Sequence, residues 1–124
     1  MRDVDYAYIA ALIDSIGTIK IEPPKKGEIS CLYIWITRND ARLMLFLQRA
    51  GAFVLDLGDG QFRAKWRDHK AYRLIKSIMP FILMKKEQLQ VGLEFMDAKS
   101  SETKEEKFDI PFRLRLKMLK RTEE

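Results

Sequence analysis

Cysteine and histidine are almost absent from this chain. Cys31 and His69 each stand alone among 124 residues, so no disulfide can close within one copy and no Cys/His zinc site can be assembled from it. A Ser-His-Asp or Cys-His catalytic group would have to be built around His69. That residue opens a predicted helix at Asp68-His69-Lys70-Ala71, a position that suits a plain surface side chain. No apolar run approaches the roughly 18–20 residues needed to cross a bilayer. Met1-Arg2-Asp3-Val4-Asp5 also lacks the basic-then-apolar layout of a secretory signal, so a cytoplasmic protein with no membrane partner is expected. Acidic residues are outnumbered, 18 against 23 Lys and Arg, for a net charge of +5. That balance favours polyanionic partners without establishing one.

What is present is ordinary globular material: 47% hydrophobic and 33% charged residues, in a length that suits one core. The first periodic stretch, Tyr6 to Ser15, has Asp3 and Asp5 as candidate N-caps and Gly17 where a terminating glycine belongs. Its periodicity separates a bulky side (Ile9, Leu12, Ile13, Ile16) from a small-residue side (Ala7, Ala10, Ala11, Asp14). Bulky side chains fill a core, whereas a stripe of alanines lets another backbone approach, either a partner's or the chain's own.

Strict alternation over Thr18–Glu22 and over residues 30–37 predicts two strands joined by Pro23-Pro24-Lys25-Lys26-Gly27. Leu32, Ile34 and Ile36 then share one face, with Cys31, Tyr33 and Trp35 on the other. Asn39 or Asp40 caps a helix over 41–50 that Gly51 ends. A second hairpin, 53–57 with 62–67, turns through Gly58-Asp59-Gly60-Gln61, where Asp-Gly signals a type I′ turn. Counting outward from that turn sets Leu57 opposite Phe62 and Asp56 opposite Arg63. Phe53, Leu55, Leu57, Phe62, Ala64 and Trp66 are thereby expected on the core face, and Val54, Asp56, Arg63, Lys65 and Arg67 on the open one. Helices are expected over 69–79, ended by Pro80, and over 85–99. A charged link over 100–109 and a basic helix over 112–120 complete the chain. The fold class is α+β: a four-stranded antiparallel sheet covered by helices on one face, in a domain of residues 1–99 followed by a tail of 100–124.

The uncovered sheet face would carry Lys20, Glu22, Tyr33, Trp35, Arg63, Lys65 and Arg67. Its bland explanation is a solvated face, or aromatics covered by a loop or the tail. Aromatics set among cations suit base and phosphate contacts equally well.

Ile9-Ala10-Ala11-Leu12-Ile13-Asp14-Ser15-Ile16-Gly17-Thr18-Ile19 resembles the motif that names the LAGLIDADG homing endonucleases, matching at Ala10, Leu12, Ile13, Asp14 and Gly17. The element order resembles that family's αββαββα core. Pro80-Phe81-Ile82-Leu83-Met84-Lys85-Lys86-Glu87-Gln88 is similar to its stretch before the last core helix. The resemblance covers about residues 6 to 99 and, with one motif copy, points to the homodimeric branch.

The resemblance implies a dimer packed through Ala7, Ala10, Ala11 and Asp14, and double-stranded DNA lying on the sheet face. Lys20, Glu22, Tyr33, Trp35, Arg38, Arg63, Lys65 and Arg67 would contact DNA, with Lys25 and Lys26 on phosphates. It also implies a break in the chemistry. The family's metal-binding acid immediately precedes the motif's last glycine, and here that residue is Ile16. A hydrocarbon cannot hold Mg²⁺, which wants oxygen ligands. Asp14 lies about 200° around the helix from residue 16, and Glu22 lies several residues along the strand. Lys85 matches a lysine beside the scissile phosphate, so Lys85 and Asp14 are the remaining candidates for catalysis. The expectation is a DNA binder with cleavage lost or impaired, needing no cofactor, or Mg²⁺ only if cleavage is retained. An active endonuclease, an intron-associated RNA-binding maturase and a domain without any nucleic-acid role are the alternatives.

Overall fold

A computed structural model of the chain describes residues 1–100 and 108–123. The order is α1 (Asp3–Ile16), β1 (Thr18–Glu22), β2 (Cys31–Arg38), α2 (Ala41–Arg49), β3 (Phe53–Gly58), β4 (Gln61–Arg67), α3 (His69–Ile78), a 3-10 turn (Met79–Phe81), α4 (Lys86–Lys99) and α5 (Ile110–Glu123). The four strands expected from the alternation of apolar residues form one antiparallel sheet, and the structure sets their order as β1-β2-β4-β3.

The core lies between the sheet and the helices. Ile19, Ile34 and Trp66 make one cross-strand row of the buried face, and Ile36 and Ala64 part of the next. Ile9, Ile13, Leu47, Ile75, Ile78, Leu89 and Phe95 close over them from the helices. The Trp66 indole N–H donates to the Ala50 carbonyl at 3.2 Å, which satisfies the one polar atom of a fully buried ring.

Four expectations need correction. First, α1 begins at Asp3 with Arg2 as its N-cap, and Asp5 accepts the Arg2 amide at 3.0 Å instead of capping the helix itself. Second, the β3–β4 register is not the one counted from the turn. Asp59 and Gly60 both have positive φ, as a type I′ turn requires. A bulge between Asp56 and Gly58 then inserts one residue, so Asp56 faces Phe62, Leu55 faces Arg63, Val54 faces Ala64 and Phe53 faces Lys65. One inserted residue moves every side chain beyond it to the other face. Val54 packs on the core, while Phe53 is 64% exposed and Leu55 joins the open face.

Third, α1 is rotated from its expected phase. Ala10 is fully buried inside its own chain, and Leu12 and Ile16 are only partly buried. The outward face is Val4, Tyr8, Ala11 and Ser15, with Ala7 at its margin. Fourth, the terminal helix starts at Ile110, with Pro111 in its first turn where a missing N–H costs nothing. It packs on α4 and β1. Leu116 enters the core, and Phe108 and Phe112 sit on the Phe95 ring at 5.6 and 5.8 Å. The charged link expected over 100–109 falls mostly on 101–107, outside the described residues.

Candidate nucleic-acid interface

Because β2 and β4 are the central strands, their outward side chains meet in cross-strand rows. Lys20, Tyr33 and Arg67 form one; Thr18, Trp35, Lys65 and Phe53 the next; Thr37, Arg63 and Leu55 the third. The cations of this face do not stand away from its aromatics. Arg63 lies over the Trp35 ring at 4.7 Å, and Lys65 over Tyr33 at 4.3 Å and Trp35 at 5.5 Å. The Arg67 guanidinium is 6.0 Å from the Tyr33 centroid. Arg63 also donates its Nε to Thr37 Oγ1 at 3.1 Å, which fixes the plane of a fork whose guanidinium has five N–H donors in all.

Tyr33 is only 4% exposed despite its place on this face, because the cations and the Pro23-Pro24 turn close around it. Burial, and next the neighbouring Cys31, push its hydroxyl above the ordinary tyrosine range, so it remains a neutral hydrogen-bonding group at any physiological pH. Between the β1–β2 turn and the second hairpin lies a shallow hollow of about 670 Å³. Pro24, Tyr33, Phe53, Leu55, Lys65 and Arg67 are among its lining residues. Charge and apolar surface therefore alternate along the floor of the sheet.

The structure unites most of the sequence-selected interface residues. Lys20, Glu22, Tyr33, Trp35, Arg63, Lys65 and Arg67 share one face, and Lys25 and Lys26 are exposed on the turn beside it. Arg38 does not join them: it follows Ile34 and Ile36 in parity, pairs with Phe62, and is exposed at the end of β2. Counting from the turn puts Phe53 and Leu55 in the core, and only the bulge brings them to the open face. The sequence puts Lys120 in a separate tail, yet its Nζ donates to the Ile19 carbonyl on β1.

At the junction of α1 and β1, Gly17 is held by close approach: a Cβ there would stand 2.7 Å from Ile13 Cα. Asp14 is buried, and both its oxygens are engaged. Oδ2 accepts from Leu83 N at 2.8 Å, and Oδ1 from Met84 N at 3.1 Å and Lys85 N at 3.0 Å. Lys85 in turn donates its Nζ to Ile13 O at 3.0 Å and Gly17 O at 2.7 Å, capping the negative end of α1. Both residues expected at a catalytic centre thus serve the joint between α1 and the loop that leads into α4. Asp14 is correspondingly turned into its own chain.

No family model matches this sequence, and no curated protein matches it significantly. Solved structures do match. The homing endonuclease I-CvuI in complex with its target superposes with a TM-score of 0.71 at 13% identity, over 95% of this chain and 96% of that one. The archaeal intron-encoded homing endonuclease I-Vdi141I, complexed with DNA, gives 0.64 at 14% identity, covering 96% of each chain. The homing endonuclease I-TnaI gives 0.61 at 12% identity, over 100% of this chain and 99% of that one. The fold is that of the LAGLIDADG homing endonucleases.

That fold implies a divalent cation near the end of α1, and the residues present do not fit one. Ile16 offers no side-chain oxygen, and the carboxylate of Asp14 is committed to three amides. Lys85 and Lys120 both border the junction. Among the described residues no group of three His, Cys, Asp or Glu side chains converges as a metal site would. Nor is any helix among them long and apolar enough to cross a membrane.

Proposed function

We propose that the chain is a cytoplasmic, homodimeric DNA-binding protein that lays two copies of its sheet along a long, roughly palindromic duplex, with cleavage lost or impaired. The observation that carries this reading is the open sheet face, where Arg63, Lys65 and Arg67 rest on Trp35 and Tyr33. Cations held against rings lose less freedom on binding than cations extended into water. The rings themselves offer apolar contact to thymine methyl groups. A two-stranded β surface fits the wide major groove of B-form DNA and not the deep, narrow groove of A-form RNA, which favours DNA over the maturase alternative. Two of the structural neighbours are DNA complexes, in keeping with this choice.

The dimer reading is supported by the outward face of α1. Val4 is 61% and Tyr8 53% exposed; Tyr8 stacks on Phe46 at 5.6 Å, beside Leu45, which is 63% exposed. Leu83 and Met84, bound through their amides to Asp14, are 87% and 70% exposed. An apolar strip of this kind on a small protein suits an isologous contact, in which the same patch serves both subunits. Ile16 at the end of α1 and the engagement of Asp14 support the reading that cleavage is lost or impaired.

Selection of bound duplexes from a random library, at moderate salt and without divalent metal, tests the reading. Enrichment of a two-fold symmetric sequence is the expected result. Folded protein that enriches no duplex, yet binds structured RNA, would overturn it.

A further inference from the structure

The hollow between the β1–β2 turn and the second hairpin measures about 670 Å³. Sites for small ligands commonly run from about 300 to 1,000 Å³, so it has room for one nucleotide. We propose that it binds a free guanine nucleotide, and that nucleotide and duplex exclude each other from the sheet. The site stands on its own residues; only the competition rests on the DNA-binding reading above.

Its two sides are apolar. Pro23 and Pro24 border it from the turn, and Phe53 and Leu55 from the edge strand β3, where Phe53 is 64% exposed. A duplex keeps the faces of its bases stacked on one another and offers a sheet only their edges. Apolar sides suit instead the faces of a base that lies outside a stack, as aromatic and apolar side chains do wherever single bases are held.

Charge is divided across it. Arg67 and Lys70 line it from the end of β4 and the start of α3, and Glu22 from the end of β1. Asp68 lies beside the cations, but its carboxylate is in use: Oδ1 accepts from Leu32 N and Oδ2 from Lys99 Nζ, both at 2.9 Å, with Arg67 Nε at a looser 3.9 Å. Among the described residues Lys70 and Glu22 form no ion pair within 4.0 Å, although Glu22 also borders the α5–β1 groove that holds Lys20 and Lys120. The cations suit a phosphate. The carboxylate suits guanine, whose adjacent N1–H and N2–H donate to two oxygens at once. Adenine sets a ring-nitrogen acceptor beside its amino group and is repelled there. β2 separates β1 from β4, so the two ends stand on the order of 10 Å apart, the reach of a nucleotide from base edge to 5′-phosphate.

The rim is fixed before any ligand arrives. Asp68 holds φ 50° and ψ −111°, a conformation that residues with a side chain rarely adopt. Its N–H donates to Leu32 O at 2.8 Å, and its two oxygens take the Leu32 amide and the Lys99 ammonium. Strain of this kind persists only where the surroundings over-determine it, and it gathers at ligand clamps. Here it turns the chain sharply from β4 into α3 and presents His69 and Lys70 beside Arg67. A rim already ordered lowers the cost of binding.

The test is calorimetric titration of the full chain, in EDTA, with GMP, AMP and ribose 5-phosphate. Saturable GMP binding is expected, about tenfold tighter than AMP, with ribose 5-phosphate weaker than either. Phe53→Ala, at an exposed position, weakens both nucleotides about tenfold. Glu22→Gln brings AMP level with GMP, because an amide pairs with the adenine edge as a carboxylate cannot. GMP also displaces a labelled duplex from wild type. Arg63→Glu, which lies outside the hollow, weakens duplex binding and leaves GMP binding unchanged. Folded wild type that binds duplex but no GMP overturns the site and leaves the DNA-binding reading intact. GMP bound no better than ribose 5-phosphate, or unaffected by Phe53→Ala, is a general contact with phosphate and overturns it too. GMP binding that follows these variants, in protein that binds no duplex, keeps the site and removes the DNA reading. A ternary complex of protein, GMP and duplex overturns the competition.

Discussion

Asp14 and Lys85 hold each other's helices. Lys85 gives its backbone N–H to Asp14 Oδ1 at 3.0 Å, and its side chain returns to Ile13 O and Gly17 O at the end of the helix that bears Asp14. One contact fixes the loop before α4 to α1; the other neutralises the carbonyl end of α1. Asp14→Ala leaves three amides without their acceptor, each of which donates to its carboxylate at 2.8–3.1 Å. A destabilisation on the order of 3 kcal/mol follows from the usual worth of such bonds. Urea unfolding should show it as a lower midpoint at unchanged slope. A near-neutral result would mean that the carboxylate is available for other work, including a metal.

The register of the second hairpin is testable in the same way. Val54 faces the core beside Ala64, whereas Leu55 faces outward opposite Arg63. Val54→Lys should therefore cost about 1–3 kcal/mol, and Leu55→Lys should fall within about 0.5 kcal/mol of wild type. The order would reverse under the register counted from the turn.

That reversal marks where the sequence stops being legible. The Asp59-Gly60 turn, the alternation of β1 and β2 and the helix periods all follow from local chemistry, and the structure has them. The bulge at Leu57 has no such signal, because Asp-Leu-Gly is compatible with a regular strand and only the packing of Val54 against the core selects the inserted residue. The phase of α1 is hidden for a related reason. Ala10 is small enough to belong on either side of a helix, and only the helices and sheet around it decide that it is buried. Asp14 was legible as a motif residue, but its partners lie about 70 positions away, as Leu83, Met84 and Lys85. Lys120 carried no mark in the sequence at all. A basic tail reads as solvated until Leu116 is seen to dock it.

Lys120 also makes stability respond to alkali in a definite direction. Its folded pKa is lowered from the ordinary lysine value, chiefly by burial and then by Lys20 and Lys85. The fold therefore binds this proton less readily than the unfolded chain does. The resulting penalty is fully present below the folded pKa and is relieved as pH rises through it towards the unfolded value. Lys120→Met removes the penalty, so the variant should melt above wild type at neutral pH, with the gain shrinking in alkaline buffer. Thermal melts at neutral pH and at pH values approaching 10 decide it. A variant that melts below wild type throughout would show that the bond to Ile19 matters more than the crowding of cations.

Specific loss of cleavage is the last claim open to direct test. If Ile16 occupies the position of the family's metal-binding acid, Ile16→Asp should create or raise Mg²⁺-dependent cutting of a duplex that the protein binds. Lys85 and Lys120 border the neighbouring α1–β1 junction, and an ammonium that reached a new carboxylate there would pair with it and compete with the ion. Ile16→Asp combined with Lys120→Met should consequently cut faster than Ile16→Asp alone, and both faster than wild type, in a nicking assay on a supercoiled target plasmid. The ordering of the three rates separates two explanations. Equal gains in the single and double variants would leave the acid as the only missing part. A gain seen only in the double variant would identify Lys120 as a second barrier to the chemistry. Folded, DNA-bound variants that never cut would place the missing acid at some position other than 16.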